Sequence, residues 1–490
     1  MPAPHPGLDD RGRRDRDIAQ PDRRGRFRHA VSPGACQGLT RNRGEDGAMN
    51  EISKVKTAGG TVRPDYVPAD AYVSPDYVRL EKERLWPRVW QIACREEEIP
   101  NPGDFYTYDI ADESIAVVRK TDGAIAAYHN VCPHRGRRLT AGCGRMGKFH
   151  CKYHGWQWNL DGKPTEVVDR KDWGELLQDS EITLHPVKSA SWGGWVFINM
   201  DPDSESLEEH LGEAKTLLDP FEMDRMRYVW RKRITMPCNW KTAQEAFMEG
   251  YHVQTTHRQL LPYQDDYTFS RAYGRHAMFG YAPTALFGLP SPRIGDQSGD
   301  MRKGLYEFNK EIWDTLKATT TDEMLAAGRR LMELPETATP FEIYVAFATF
   351  HREESAKAGR PWPAITPEQQ MAAGTDWNIF PNLVFLQQPT NVLFYRARPN
   401  GDDPDSCIFE VNVMERFAEG AEPRNVEVEV ADDWRTVDWG LILEQDFQNM
   451  EAVQKGMKSR VFKAARPSPV QEVEISNFHA TLLAYLHGGQ

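Results

Sequence analysis

The chain has 490 residues, of which 40% are hydrophobic and 11% aromatic, and its formal net charge is -12 at pH 7. This length and apolar content predict one large domain or two medium domains with a sizeable core. The acidic balance argues against nucleic acid and anionic membranes as partners, and no run of about 18 apolar residues predicts a membrane span. Seven scattered cysteines, an odd number, argue against a disulfide framework.

The first 48 residues differ in composition from the rest of the chain. They are rich in Arg, Asp, Gly and Pro and hold few large apolar side chains, so we do not expect them to order. They lack the apolar core of a signal peptide, and their acids argue against a transit peptide. We interpret them as translation from an upstream start, with Met49 as the working start; a disordered functional tail is the alternative. Residues 49–89 are expected to be a helical entry segment, with a helix over 72–89.

Residues 90–201 are predicted to form a small antiparallel β domain. Short β-branched and aromatic runs predict its strands, and Asp122-Gly123 is typical of a hairpin turn. The predicted strands are 105–108, 115–118, 124–128 and 195–199.

Two short motifs inside this domain carry metal-binding residues. Cys132-Pro-His134 is followed, after sixteen residues, by Cys151-Lys-Tyr-His154. Each motif offers one sulfur and one imidazole on a short loop. A Rieske [2Fe-2S] cluster needs this donor set, with two thiolates on one iron and two histidines on the other. A tetrahedral zinc site is the alternative, although zinc sites usually show CxxC or HxxxH pairs.

A second group of candidate ligands lies about a hundred residues later. The stretch 239–257 is rich in helix-forming residues, and Glu245, Glu249 and His252 fall on one face of the predicted helix. His257 follows five residues later, which requires a bend or helix end near 255–256. With one carboxylate from elsewhere, two imidazoles would complete a 2-His-1-carboxylate triad for Fe(II). Solvated or hydrogen-bonded histidines are the simpler alternative.

Residues 202–490 are predicted to form the second domain. A strand is expected over 228–235, helical patterns dominate 301–375, and Pro361-Trp-Pro363 interrupts them. Further strands are predicted at 378–385, 392–398 and 407–414. This order predicts an α+β fold, a curved antiparallel sheet with helices on one face. Neither a P-loop nor GxGxxG occurs, so no nucleotide or flavin site is expected.

These motifs resemble those of a known enzyme family. Segments 129–139 and 151–158 resemble the Rieske domain of Rieske non-haem iron oxygenases, and 239–257 resembles the mononuclear iron motif of the same enzymes. The similarity covers about residues 65–460 and points to the large (alpha) subunit of the aromatic-ring-hydroxylating dioxygenases. It implies a Rieske domain inserted before a helix-grip-like catalytic domain. Respiratory Rieske proteins carry an extra cysteine pair that this chain lacks.

The resemblance implies specific ligands for both metal centres. The cluster ligands would be Cys132, His134, Cys151 and His154. The iron ligands would be His252, His257 and Asp446, the last of which lies on a predicted late helix over 443–456. For the carboxylate ligand, Glu444 is the second choice, and a solvated helix acid that binds no metal is the simpler alternative.

Glu249 occupies the position of the acid that, in the family, bridges a Rieske histidine of one subunit to an iron-binding histidine of its neighbour. The family usually has aspartate there, and some branches, including those acting on quaternary amines, have glutamate. We therefore expect Glu249 to be the bridging acid. Glu245, one turn earlier, is expected to be a structural helix acid.

The resemblance also implies an activity. We expect an oxidoreductase that uses O2 and NAD(P)H-derived electrons, delivered by a ferredoxin or reductase, to hydroxylate an aromatic or hydrophobic substrate, as cis-dihydroxylation. Monooxygenation, such as O- or N-demethylation or quaternary-amine oxidation, is the alternative, and an electron-transfer Rieske protein is the alternative of another class. A homotrimer or an α3β3 assembly with a β subunit is expected, in a reducing cytoplasm that suits an iron–sulfur cluster.

Overall fold

The computed structural model describes residues 65–424 and 426–488, together with the backbone of 56–57 and 60–61. The predictions for residues 1–48 and for Met49 lie outside the described residues. Within these ranges, no helix combines the length and the apolar character that crossing a membrane would require. The first elements are β1 (Lys56–Thr57), β2 (Gly60–Thr61), β3 (Val67–Pro68), α1 (Asp70–Val73) and α2 (Pro75–Arg84).

The prediction of one entry helix over 72–89 is wrong. Two helices occupy this region, and Ser74 between them is extended, with φ -90° and ψ 124°. Pro75 begins α2, and proline disfavours the helical conformation of the residue before it. The second helix ends at Arg84, five residues earlier than expected.

The next part of the chain is the predicted antiparallel β domain. Seven strands pair in the order β4-β13-β12-β7-β6-β5-β8, three more pair in the order β11-β10-β9, and every pairing is antiparallel. The hairpin at Asp122-Gly123 is confirmed, with Gly123 at φ +85°. The elements are β4 (Gln91–Arg95), β5 (Asp104–Ile110), β6 (Glu113–Arg119), β7 (Ile125–His129), β8 (Cys143–Arg145), β9 (Phe149–His150), β10 (Gln157–Trp158), β11 (Pro164–Glu166), α3 (Asp179–Ile182), β12 (Pro186–Trp192) and β13 (Trp195–Asn199).

The rest of the chain builds a second sheet with helices. Its eight strands follow the order β15-β16-β17-β18-β19-β20-β14-β21, antiparallel except for the parallel pair β14 and β21. The first elements are α4 (Leu207–Leu211), α5 (Glu213–Leu218), β14 (Arg227–Met236), α6 (Trp240–Glu245), α7 (Val253–Thr256), β15 (Thr268–Tyr273) and β16 (His276–Tyr281). Four helices then follow: α8 (Met301–Leu316), α9 (Asp322–Arg330), α10 (Pro340–Lys357) and α11 (Pro367–Ala373). The last elements are β17 (Asp376–Ile379), β18 (Leu383–Gln387), β19 (Asn391–Asn400), β20 (Asp403–Glu415), β21 (Val428–Ala431), α12 (Leu441–Met457), β22 (Ala464–Ala465) and α13 (Val473–His487). The α+β prediction is therefore confirmed.

Side-chain alternation separates two cores on this sheet. Tyr395 and Phe409 point to the face covered by α6, α12 and α13, which we call the inner face. Phe394 and Trp377 point to the opposite face, where they pack with α4, α5 and the strands β4 and β13. Because successive side chains in a strand point to opposite faces, Asp376, next to Trp377, belongs to the inner face.

A buried ionic network ties the β domain to the second sheet. Glu410, 4% exposed, pairs with Arg396 and Arg398. Arg396 also donates to the carbonyl of Ile92 at 3.0 Å, and Arg398 donates to that of Asp109 at 2.7 Å. Burial opposes the charge of Glu410, but these arginines hold the pKa of its carboxyl well below its usual range. The two regions are therefore joined by paired charges whose hydrogen bonds are directional.

Candidate metal centres

Two loops of the β domain share one hydrogen-bond pattern. The N–H of Cys132 donates to the carbonyl of Arg137, and the N–H of Gly136 donates to the carbonyl of Cys132. The second loop repeats this with Cys151, whose N–H donates to the carbonyl of Trp156 and whose carbonyl accepts from Gly155. The two glycines have φ of +74° and +78°, a conformation that glycine adopts without a Cβ penalty.

The four predicted cluster ligands lie together at the tip of these loops. Cys132 and Cys151 are 2% and 1% exposed. Burial raises the pKa of the Cys132 thiol, and a hydrogen bond with Cys151 raises it further. The rings of His134 and His154 are 4.5 Å apart, and the Nδ1 atom of each is buried without a hydrogen-bond partner in the described part of the chain. Two adjacent thiols and two unpartnered imidazole nitrogens fit a Rieske cluster, because metal binding displaces the thiol protons and satisfies the nitrogens.

Aromatic packing fixes one of these histidines. Trp156 stacks on His134 with ring centroids 4.6 Å apart and an interplanar angle of 10°. Trp173 meets the same imidazole edge-on at 6.3 Å. The ring orientation of His134 is therefore held by packing as well as by its short loop.

The second motif folds differently from the prediction. Asn239 caps α6, its side chain accepting from the N–H of Lys241 at 3.1 Å, but α6 ends at Glu245. A turn follows, and α7 begins only after His252. The expected helix face shared by Glu245, Glu249 and His252 is therefore wrong. His252 and His257 flank α7, a single helical turn that places both imidazoles at one point. The helix end expected near 255–256 is confirmed, since α7 ends at Thr256.

Three donor atoms converge at the turn. The Nε2 atoms of His252 and His257 are 3.2 Å apart, and Oδ1 of Asp446 lies 3.6 Å and 3.0 Å from them. Two ligand atoms each about 2.1 Å from a metal, at a right angle, would be about 3 Å apart. Among the described residues, His252, His257 and Asp446 form the group of histidine, cysteine and acidic side chains whose ligand atoms lie close enough together to hold a metal ion. Glu444, the second choice, is not in it.

Each ligand histidine has its own acceptor on the far side of the ring. Nδ1 of His252 lies 2.6 Å from Oε1 of Glu249, whose Oε2 accepts from the backbone N–H of His252 at 3.0 Å. Nδ1 of His257 lies 2.8 Å from Oε1 of Gln445, which Gln259 also contacts at 2.9 Å. Both acceptors favour the Nδ1–H tautomer and leave Nε2 free for a metal.

Electrostatics at this site favour a cation. Burial alone lowers the pKa of His252, but the carboxylates of Glu249 and Asp446 raise it to about 9. His257 and Asp446 have side chains only 4% and 5% exposed, while His252 is 24% exposed. A positive charge placed between these groups would replace the protons that the carboxylates attract. The donor set, two neutral imidazoles and a carboxylate, fits non-haem iron.

The remaining predicted acid is structural. Glu245 accepts from the hydroxyl of Tyr72 at 2.8 Å and lies 2.6 Å from Nε2 of His479. It therefore joins α6 to α1 and α13 and is not among the converging donors. Sequence reasoning missed Gln445, whose only signal is its place next to Asp446.

Aromatic side chains line the inner face next to Asp446. Phe247 stacks on Tyr395 with centroids 3.8 Å apart, and Phe409 lies parallel to both at 5.6 Å and 6.0 Å. Phe447, fully buried, meets Phe409 edge-on at 5.9 Å. We call these four residues the aromatic wall. Tyr395 is influenced electrostatically by Asp446 and carries the only hydroxyl of the wall.

The chain matches two protein-family models. Residues 223–488 match the family described as ring hydroxylating alpha subunit (catalytic domain), and residues 89–176 match the Rieske [2Fe-2S] domain. The large subunit of anthranilate 1,2-dioxygenase from Acinetobacter baylyi is 34% identical over 38% of this chain and 41% of its own length. The oxygenase subunit of carnitine monooxygenase from Escherichia coli is 33% identical over 39% of this chain and 52% of its own length. The chain thus spans about half the length of the curated relatives it matches.

Solved structures share the fold. A quaternary ammonium Rieske monooxygenase in complex with L-carnitine has a TM-score of 0.58 at 19% identity, over 87% of this chain and 97% of the other. Naphthalene 1,2-dioxygenase from Rhodococcus sp. bound to indole has a TM-score of 0.58 at 21% identity, over 87% and 95%. The chain belongs to the family of ring-hydroxylating oxygenase alpha subunits, with a Rieske [2Fe-2S] domain ahead of a catalytic domain that binds mononuclear iron.

Proposed function

We propose that this chain is the oxygenase component of a system that uses O2 and two electrons to hydroxylate a hydrophobic, aromatic substrate, as cis-dihydroxylation. The observation that carries the proposal is the convergence of His252, His257 and Asp446, with donor atoms 3.0 to 3.6 Å apart, next to the aromatic wall. Three donors on one side of a metal leave positions on the other side for O2 and substrate.

The Rieske ligands in this proposal are the two thiolates and two imidazoles of the loop tip. They are Cys132, His134, Cys151 and His154. The cluster and the iron supply electron transfer and O2 activation when bound. The chain's own residues hold and orient these groups: Glu249 and Gln445 fix the tautomers of the iron histidines, and the buried wall excludes water from the reacting face.

Electrons must enter from a separate protein in this proposal. The sequence holds no nucleotide or flavin motif, so a ferredoxin, a reductase or both would deliver NAD(P)H-derived electrons. We propose a homotrimer or an α3β3 assembly in which Glu249 bridges His252 to a Rieske histidine of the neighbouring subunit. The exposure of His252, 24% against 4% for His257, supports Glu249 as the acid on the accessible side.

A second candidate is monooxygenation of a quaternary amine. Glu249 stands where the family usually has aspartate, and relatives include the carnitine monooxygenase subunit and the glycine betaine monooxygenase oxygenase subunit of Chromohalobacter salexigens, 33% identical over 40% of this chain. Aromatic faces attract quaternary ammonium groups, so the wall would suit such a substrate as well.

Isotope-labelled dioxygen separates the two candidates. Purified protein with a ferredoxin and reductase pair would be given aromatic hydrocarbons, aromatic acids, methyl ethers and betaines, with products read by mass spectrometry. Two labelled oxygens in one aromatic product support the first candidate, and formaldehyde release with one labelled oxygen supports the second. Asp446→Ala is the control, since it removes a proposed iron ligand and leaves the Rieske loops intact. Product formation by that variant at the wild-type rate would refute the proposed iron site.

A further inference from the structure

A short helix ahead of the β domain contacts the helices that carry the iron site. Tyr72 lies in α1 and is 0% exposed. Its hydroxyl donates to Oε2 of Glu245 at 2.8 Å, across 173 residues of sequence. The same hydroxyl lies 3.0 Å from Nε2 of His479, across 407 residues. One phenol therefore joins α1 to the end of α6 and to α13.

The backbone of Tyr72 contacts a third helix of the site. Its carbonyl accepts from Nε2 of Gln454 on α12 at 3.3 Å, and this amide nitrogen also donates to Asp405 at 2.8 Å. The other end of the amide, Oε1 of Gln454, accepts from the backbone N–H of Asn239 at 3.1 Å, at the start of α6. Since α12 also carries Asp446, about two turns earlier, Tyr72 lies where α6, α12 and α13 are tied together.

Glu245 connects this anchor to the turn that holds the ligands. Its carboxylate is held at both oxygens, by the phenol at Oε2 and by the imidazole of α13, which lies 2.6 Å from Oε1. Its backbone carbonyl accepts from the N–H of Met248 at 3.1 Å, in the turn that follows α6. Glu249 comes directly after Met248, and both of its carboxylate oxygens contact His252. A continuous series of hydrogen bonds and peptide bonds thus leads from Tyr72 to His252.

The phenol of Tyr72 is suited to hold a carboxylate. Burial, and then the negative charge of Glu245, raises the pKa of Tyr72 well above its ordinary value, so its O–H remains a donor at neutral pH. The side chain of Glu245 is only 11% exposed, and a poorly hydrated carboxylate needs such donors to offset its lost hydration. Loss of the hydroxyl would therefore leave Oε2 without this donor and free the carboxylate to move.

We propose that Tyr72 is a positioning residue of the iron site, because it fixes Glu245 and thereby the turn on which Glu249 and His252 lie. This inference rests on the iron ligands proposed above. Tyr72 acts through Glu245, and its loss would change how the ligands are placed without removing any of them.

Iron binding by the purified holoprotein, with its cluster intact, tests this role. Tyr72→Phe removes the hydroxyl and keeps the ring, and it should weaken Fe(II) binding by about tenfold in competition with a chromophoric chelator. The EPR signal that nitric oxide gives with the Fe(II) protein should change shape, because this signal reports the placement of the ligands. Equal affinity and an identical signal in the variant and the wild type would overturn the proposal.

Tyr108→Phe is the matched control. Tyr108 is 1% exposed, and its hydroxyl donates to Oε1 of Gln91 at 3.1 Å within the β domain. The control therefore also loses one buried hydroxyl and one hydrogen bond, but away from the iron ligands. It should leave the iron affinity and the nitric oxide signal unchanged. An equal loss of affinity in both variants would overturn the proposal, because it would reflect general destabilisation.

A double-mutant cycle tests whether the effect passes through Glu245. Glu245→Gln should weaken iron binding by a similar factor, and adding Tyr72→Phe should then change the affinity by less than about twofold. Losses that multiply would refute this route. If Tyr72→Phe does not fold, His479→Gln takes its place in the cycle, because it removes the other contact of the same carboxylate. A wild-type protein without mononuclear iron would refute the proposed ligands themselves, which is a different outcome from equal binding by the wild type and the variant.

Discussion

Replacing Glu249 by glutamine tests the bridging role with the least change in shape. The substitution removes a charge-assisted hydrogen bond of 2.6 Å to Nδ1 of His252 and leaves an amide that can still accept through one oxygen. Such a bond contributes about 1.5–3 kcal/mol. We therefore expect iron affinity to fall by about ten- to a hundredfold, while the cluster spectrum stays unchanged.

Gln445→Leu is the matched control for this variant. Gln445 holds the other ligand histidine, but through a neutral bond of 2.8 Å, worth about 0.5–1.5 kcal/mol, and on a nearly buried ring. Gln445→Leu should therefore weaken iron binding by about tenfold or less. If Glu249 carries electrons between subunits, E249Q loaded with iron should lose steady-state turnover by at least about a hundredfold. Iron-loaded Q445L should turn over normally.

The assay compares both variants at full iron occupancy. Stopped-flow reduction of the cluster, followed by its reoxidation with substrate and O2, measures electron transfer from cluster to iron directly. Equal reoxidation rates for E249Q and Q445L would refute the bridging role, because the two variants differ in which histidine they perturb. Slow reoxidation of E249Q alone supports it.

Two further predictions concern stability. Lys241→Met leaves Glu81 fully buried without its cation and should lower the free energy of unfolding by about 3–5 kcal/mol. Adding Glu81→Gln should recover much of this loss, and urea denaturation measures both variants. Equal denaturation midpoints for the wild type and the single variant would contradict the argument. Hydrogen bonds with His210 and then Arg275 lower the pKa of Glu205 to about 2. The ionised carboxylate therefore stabilises the fold above pH 4.5, the pKa of the unfolded state, and this stabilisation is lost as the pH falls from 4.5 through 2. The stability gap between wild type and Glu205→Gln should accordingly close over this range, and a gap independent of pH would show that the charge is not responsible.

The sequence predicted the parts of the site whose geometry is local. The two Cys and His loops each fit within five residues, and their Gly136 and Gly155 close the same backbone pattern, so spacing alone specified them. Most strands with alternating residues were also predicted, since a two-residue period determines which side chains share a face. The single strand predicted over 378–385 is wrong: β17 ends at Ile379 and β18 begins at Leu383, and Pro381 between them cannot donate a ladder hydrogen bond.

The end of α6 could not be predicted in the same way. Residues 246–249 are good helix formers, and intrinsic preference favours continuing the helix through them. The structure ends the helix at Glu245, where Tyr72 and His479 hold its carboxylate from segments far away in the sequence. Tertiary contacts thus override propensity. His252 and His257 then flank the single turn of α7, which places both imidazoles at one point.

Gln445 escaped prediction for a related reason. Gln445 meets His257 across 188 residues, a contact that follows from how α12 packs on α7. No local sequence pattern marks Gln445, because a polar residue in a helix is most often exposed.

The charge balance around the aromatic wall bears on the choice between substrates. Aromatic faces accept neutral rings and quaternary ammonium ions alike, so the wall by itself favours neither. A buried cation also needs a carboxylate to offset its lost hydration. Asp446 lies 3.0 Å from His257 and 3.6 Å from His252, with which it is proposed to bind iron. With this carboxylate engaged in that way, a neutral aromatic substrate would lose less hydration on entering than an ammonium ion would, which supports the proposed ring hydroxylation over the proposed amine oxidation.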